Sequence, residues 1–143
     1  MQRIVICDDV EIERTLMKEI LTEYFDEIHR EVSIIEYDSG EGLIADVEEG
    51  YLDMELLFLD IYMKEMNGMT VARELRALDP DLSIIFLTSS KDYVYEGYEI
   101  HALRYLLKPP QADHVQAVLF ECLKQSQKNQ RRLTVSVLSL IHI

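Results

Sequence analysis

Basic residues are scarce in this chain: 14 lysines and arginines stand against 27 aspartates and glutamates, a formal net charge of -13. Gripping a phosphate backbone needs a basic face, so the balance argues against nucleic-acid binding by this segment itself. The acidity says little more, because a charge excess is usually a solvated surface. Cysteine is almost as rare. Cys7 and Cys122 fall in an expected strand and an expected helix without metal-ligand spacing; they read as buried free thiols in a reducing compartment. There is no apolar run long enough to span a bilayer, and the N-terminus enters a strand without a signal peptide. A cytoplasmic protein with no membrane partner is expected. The 143 residues are about one domain's worth, and 48% hydrophobic residues suffice for a continuous core.

What the sequence does contain is an alternation of strand-like and helix-like stretches. Ile4 to Cys7 reads as a buried strand, and Ile12, Leu16, Ile20 and Tyr24 then recur at helical spacing, predicting an amphipathic helix from about Val10 to Glu27. Val32 to Tyr37 reads as a second strand. Asp38-Ser39-Gly40 supplies a turn and a helix cap ahead of a short helix through Glu49. Met54 to Leu59 is near-continuously apolar, the mark of a strand buried on both faces. After the break at Asn67-Gly68 a helix runs from about Met69 to Leu78 and ends near Pro80. Leu82 to Thr88 is the next strand, followed by a weak helix around Tyr93 to Tyr98. Ala102 to Leu107 and an amphipathic helix from Ala112 to Lys124 complete about five βα units. That count predicts a flavodoxin-like, doubly wound α/β fold, a five-stranded parallel sheet with helices on both faces.

In such a sheet the strand ends converge on one edge, where ligands bind. Asp8-Asp9, Asp60, Thr88 and Lys108 each follow one of the apolar runs. Three carboxylates, a hydroxyl and an ammonium gathered there read as a site for a divalent metal and a phosphoryl group. Magnesium takes hard oxygen ligands and keeps several waters; Asp9 and Asp60 suit direct ligation, with Asp8 holding a coordinated water. Close carboxylates raise one another's pKa unless a cation offsets them, and the metal and Lys108 are the offsets. A carboxylate is also a competent nucleophile toward phosphorus, so Asp60 is the candidate phosphoacceptor.

Taken singly these residues have plainer readings. Asp9 alone is as good a helix cap as a ligand, Asp60 alone could end a strand in a turn, and a strand-end threonine or surface lysine is ordinary. Their conjunction, in order at the ends of strands one, three, four and five, is poorly explained by chance structural use. Tyr93, Tyr95, Tyr98 and Tyr105 read either as a half-buried core edge or as a dimer or output face. His29, His101 and His114 lack ligand spacing and receive no role.

The sequence resembles a two-component response-regulator receiver domain. The likeness rests on ICDD at Ile6 to Asp9, LLFLDIYMKEMNGMTVARELR from Leu56 to Arg76, IIFLTSS from Ile84 to Ser90, and ALRYLLKPP from Ala102 to Pro110. The resemblance implies that Asp60 is phosphorylated by a histidine kinase, that Asp8 and Asp9 bind Mg²⁺ with the Tyr62 backbone carbonyl as a further ligand, and that Lys108 and Thr88 contact the phosphoryl group. It makes Gly68 the turn glycine, Lys108-Pro109 a bond that is typically cis, and Tyr105 the aromatic switch. A homodimer is a further expected partner. Lys64, Ser89 and Pro110 depart from the broad pattern without removing a required group; Ser89 and Tyr62 bear on the lifetime of the phosphoryl group. Within the family the DIYMKEMNG string and the stretch from Phe86 to Pro109 look most like regulators with a C-terminal LytTR-type DNA-binding domain. Catalysis beyond the domain's own phosphorylation and dephosphorylation is not expected, because a phosphohydrolase needs a second acid two residues past its nucleophile and that position is Tyr62. A receiver-like module that is never phosphorylated is the other alternative, and the presence of every required residue speaks against it.

The likeness covers Arg3 to about Gln125, so a receiver domain is expected over residues 1–125 and a polar linker over 126–132 (SQKNQRR). The apolar, strand-prone run 133–143 begins once the sheet is complete. It is expected to be the start of a truncated output domain through which any DNA binding would act. Its last six residues, LSLIHI, match one reading frame of a common sequencing-adaptor end and are expected to be non-native.

Overall fold

The computed structural model describes residues 2–89 and 104–124. The expected helix around Tyr93 to Tyr98, with its three tyrosines, lies outside the described residues, as do His101, the first residues of the last expected strand, the linker and the run 133–143. In chain order the elements are β1 (Gln2–Cys7), α1 (Glu11–Glu27), β2 (Val32–Tyr37), α2 (Gly40–Glu48), β3 (Leu56–Asp60), α3 (Gly68–Leu78), β4 (Ser83–Thr88), β5 (Arg104–Leu107) and a helix over 112–124. All strand pairings are parallel, in the order β2-β1-β3-β4-β5. This is the doubly wound arrangement expected from the alternation of runs.

The parallel strands lie between two helical layers, which is why the central ones read as largely apolar runs. On one face Val5, Cys7, Leu57, Leu59, Ile84 and Phe86 pack with Leu43 and Ile44 of α2 and Met69, Val71, Ala72 and Leu75 of α3. On the other, Ile4, Ile6, Phe58, Ile85 and Leu87 pack against α1 and against Val115, Leu119 and Cys122 of the last helix. Successive strand residues alternate between the two cores, as a side-chain period of two requires.

The buried face of α1 differs from the expected stripe. Met17, Ile20, Leu21, Tyr24 and Phe25 are buried, whereas Ile12 is 79% and Leu16 37% exposed. Each four-residue step turns a helix about 40° past a full revolution, so from position 12 to position 24 a strict i, i+4 row drifts by about 120°. Only its C-terminal members stay over the core. β3 also begins later than the apolar run: Leu56 is the first residue in register with β1, opposite Ile4, while Met54 is buried ahead of the strand.

Caps fix the starts of α2 and α3. The Ser39 hydroxyl accepts the Gly42 N–H at 3.2 Å at the head of α2, and the Asn67 side chain accepts the Met69 N–H at 2.7 Å at the head of α3. Gly68 holds the β3–α3 loop against the sheet. Its N–H donates to the Ile61 carbonyl at 2.8 Å, and a Cβ there would stand 2.2 Å from the Asp60 carbonyl oxygen and 2.8 Å from Ile61 Cα. Both are backbone atoms with little freedom to yield. Gly68→Ala should therefore destabilise the domain by about 1–3 kcal/mol, the usual range for forced overpacking. Urea unfolding of the variant checks this; an unchanged midpoint would show that the loop relaxes freely.

Candidate functional site

The sheet places its polar residues at one edge. Asp60 and Thr88 end β3 and β4, while Asp8 and Lys108 follow directly after β1 and β5. The ladders continue into these positions: Asp8 N–H donates to the Tyr37 carbonyl at 3.1 Å and Lys108 N–H to the Thr88 carbonyl at 2.9 Å. Among the described residues the buried polar or charged ones are Asp8, Asp60 and Thr88. All three stand at this edge.

Asp8, Asp9 and Asp60 offer carboxylate oxygens that lie within 4.8 Å of one another. Lys108 reaches over the cluster, its Nζ 3.0 Å from Asp8 Oδ2 and 3.1 Å from Asp60 Oδ1, and it also donates to Glu13 Oε2. Asp8 is held from several sides: its Oδ1 accepts the Val10 N–H at 3.0 Å, and its backbone carbonyl accepts Arg14 Nη1 at 2.8 Å. Arg14 is itself 3.5 Å from Glu36 on β2. Asp9 does not cap α1, whose N-cap is Val10 without a side-chain cap bond. Its Oδ2 instead accepts the Lys64 N–H at 3.0 Å across the β3–α3 loop. The Tyr62 N–H hydrogen-bonds the Asp60 carboxylate, and Tyr62 is itself partly exposed. Beside Asp9 a cleft of about 350 Å³ opens, with Asp38, Glu41 and Lys64 among its walls.

Burial dominates the acid–base properties of this cluster. It pushes the Asp8 carboxyl up to about 6, helped by the nearby Asp60 charge and against the hydrogen bonds from Val10 and Lys108. It raises Asp60 as well, with Lys108 as the main opposing influence. For Glu13 burial acts upward, yet the hydrogen bonds with Lys108 and Asp8 hold the carboxyl below its ordinary value. For Lys108 burial opposes the charge, and the hydrogen bonds to Glu13 and Asp8 with the Asp60 charge keep the ammonium firmly protonated. Among the described residues Lys108 thus meets three carboxylates, Asp8, Asp60 and Glu13, with a fourth, Asp9, beside them. Hard oxygen donors, close spacing and a deficit of positive charge together fit a divalent cation of the Mg²⁺ kind; Asp8, Asp9 and Asp60 are the side chains that would hold it.

Thr88 is buried at the end of β4. Tyr105, on β5, is half-buried against Phe86 with ring centroids 5.4 Å apart. The Lys108-Pro109 peptide bond is cis. Cys7 and Cys122 are both buried free thiols, and burial raises both, Cys7 to about 12; neither is poised for nucleophilic chemistry. Two residues at the site carried no sequence signal that marked them out, Glu13 and Arg14. Their position one turn beyond the Asp8-Asp9 pair, on the helix that the pair introduces, is the feature that could have drawn attention to them.

Comparison with known proteins agrees with this geometry. A family profile, the response regulator receiver domain, matches residues 4–120. The sensory transduction protein LytT of Bacillus cereus is 30% identical over 128 residues, covering 89% of this chain and 49% of the relative. The chain spans about half the length of the curated relatives it matches. Among solved structures, the response regulator TrrA from Thermotoga maritima, in complex with Mg²⁺ and beryllofluoride, is 27% identical with a TM-score of 0.73, over 85% of this chain and 99% of that one. The response regulatory domain of mrkE from Klebsiella pneumoniae shares the fold, with a TM-score of 0.77 at 20% identity over 89% and 99% of the two chains. The sheet order, the acidic cluster under a strand-end lysine and the family match together identify the chain as a member of the response regulator receiver domain family of two-component systems, in which an aspartate accepts the phosphoryl group.

Proposed function

We propose that Asp60 is the phosphoacceptor of this receiver domain and that a histidine kinase is its donor. The observation that carries the reading is the placement of one ammonium, Lys108 Nζ, 3.1 Å from Asp60 and 3.0 Å from Asp8 inside a cluster of three carboxylates. In the transfer an Asp60 carboxylate oxygen forms the new bond to phosphorus while the phosphorus–nitrogen bond of the donor phosphohistidine breaks. The electron pair of that bond stays on the imidazole nitrogen. Lys108 and Thr88 are proposed to receive the phosphoryl oxygens as charge-assisted and hydroxyl hydrogen bonds. Asp8, Asp9 and Asp60, with the Tyr62 carbonyl, are proposed to hold Mg²⁺, which when bound supplies positive charge to the phosphoryl oxygens. The tyrosine two residues past Asp60 leaves a hydrolase without its second acid, so we read the chemistry as confined to the domain's own phosphorylation and dephosphorylation.

Phosphorylation is proposed to draw Thr88 toward the new charge and to let Tyr105 repack inward, changing the partner preference, for a homodimer or an output domain, of the face of β5 and the expected helix around Tyr93 to Tyr98, which lies outside the described residues. A receiver over 1–125, a linker over 126–132 and, over 133–143, the start of an output domain followed by the non-native residues LSLIHI make up the proposed organisation. Transcription, through a LytTR-type DNA-binding domain, is the proposed output, and the similarity to LytT supports it. Among the described residues no helix is long and apolar enough to cross a membrane, which accords with a cytoplasmic site of action.

Asp60→Asn should abolish phosphorylation while preserving the fold, since the amide is near-isosteric and a poor nucleophile. Incubation with a small phosphodonor and Mg²⁺, followed by intact mass, should show one phosphoryl adduct on the wild type and none on the variant. Labelling of Asp60→Asn at the wild-type rate would move the acceptor elsewhere; rapid turnover of donor without an adduct would favour the hydrolase. The same variant should be more stable than the metal-free wild type at neutral pH. Asp60 is raised in the folded state, so its ionised form costs more folded than unfolded, a penalty that is absent below the ordinary aspartate range and complete above the folded value. The advantage in urea unfolding should therefore shrink as the pH is lowered.

Metal binding should follow Asp8. A proton on a carboxyl raised to about 6 competes with the cation, so Mg²⁺ affinity should hold above neutrality and fall as the pH drops through about 6. Calorimetric titration should find that fall weakened in Asp8→Asn, and Asp9→Ala should lose more affinity than Asp8→Ala. An unaltered pH profile in Asp8→Asn, or equal losses in the two alanine variants, would contradict the assignment.

A further inference from the structure

A lysine ammonium has three N–H donors, and at Lys108 three carboxylates take them. Asp8 Oδ2 and Asp60 Oδ1 lie at 3.0 and 3.1 Å, and Glu13 Oε2 completes the set. A phosphoryl donor approaching Asp60 needs the same ammonium before the new bond forms, while Asp60 is still a carboxylate, so one present partner has to give way. Asp8 and Asp60 are poorly suited to do so: their side chains are 1% and 3% exposed, and Asp8 is further tied to the Val10 N–H and, through its carbonyl, to Arg14. Glu13 differs. It stands on the first turn of α1, its side chain is 37% exposed, and its flexible stem gives the carboxylate a path into water.

We infer that Glu13 is a positioning residue that holds the Lys108 ammonium in the unmodified domain and competes with the phosphoryl group for it. The inference rests on the proposed roles of Asp60 and Lys108. It gives the domain a built-in brake: the anionic donor has to displace one carboxylate before Lys108 can meet its oxygens, and the response of the domain to phosphodonor is set partly from α1. Removing Glu13 leaves one N–H of Lys108 free for the incoming group, while the buried partners Asp8 and Asp60 keep the ammonium in place.

Glu13→Ala is tested against Glu11→Ala, which removes the same charge from the same helical turn at an exposed position. The first readout needs neither metal nor donor: the ¹⁵N and proton signals of the Lys108 side-chain ammonium should shift in Glu13→Ala and stay in place in Glu11→Ala. The second is the rate of adduct formation against the concentration of a small phosphodonor, with Mg²⁺ and at high salt to screen exposed charges. Glu13→Ala should reach half its maximal rate at a several-fold lower donor concentration, with Glu11→Ala close to wild type. If the two variants match in either readout while the wild type is labelled at Asp60, the role of Glu13 is overturned and the phosphoacceptor reading stands. A wild-type domain that takes no phosphoryl group at Asp60 overturns that reading and the competition with it.

Discussion

Among the described residues the Lys108 ammonium is shared by Asp8, Asp60 and Glu13, with Asp9 beside them, and the edge of the sheet is organised around that excess of carboxylates. Buried carboxylates are costly unless paired or neutralised. Lys108 is positioned to neutralise because the β4–β5 ladder runs one hydrogen bond past the end of β5, through its N–H to the Thr88 carbonyl. Burial, with the neighbouring carboxylates adding to it, raises Asp8 and Asp60 even with a lysine at hydrogen-bond distance. On the proposed reading a divalent cation and a phosphoryl group share this cluster, one adding positive charge and the other drawing on the ammonium.

The rest of the fold delivers these groups to one place. Four strands bring their chain segments into parallel register with their ends level, and the two apolar cores fix the sheet between its helices. The β3–α3 loop is then closed tightly enough, by Gly68 against the Asp60 carbonyl, that Lys64 can bond Asp9 from across the site. Glu36, on the edge strand, takes part indirectly by engaging Arg14, which grips the Asp8 carbonyl. Remote packing is thereby converted into positions of carboxylate oxygens.

Much of this arrangement was legible in the sequence because parallel strands leave an unambiguous trace. The runs before Asp8, Asp60, Thr88 and Lys108 are largely apolar, and their order specifies which side chains meet at the edge. Ser39 was readable as a cap because its hydroxyl chemistry is local. The face of α1 is only partly legible, since a row of apolar residues four apart spirals off the core: Ile20 and Tyr24 are buried, but Ile12 stands in solvent and Met17 and Phe25 fill the core beside them. Glu13 was invisible for a different reason. A glutamate in the first turn of a helix is ordinary in sequence, and its meeting with a lysine 95 residues later depends on tertiary packing.

The account turns on Asp60 being the atom-level acceptor in a cluster that Lys108 completes. Borohydride reduction of the phosphorylated protein, followed by peptide mass spectrometry, tests that most directly, because only an acyl phosphate is reduced to the alcohol and the converted residue is identified by its position. The account predicts homoserine at position 60 and unmodified aspartate at positions 8 and 9. Reduction at Asp8 or Asp9, or at no aspartate in a protein that carries a phosphoryl group, would contradict it.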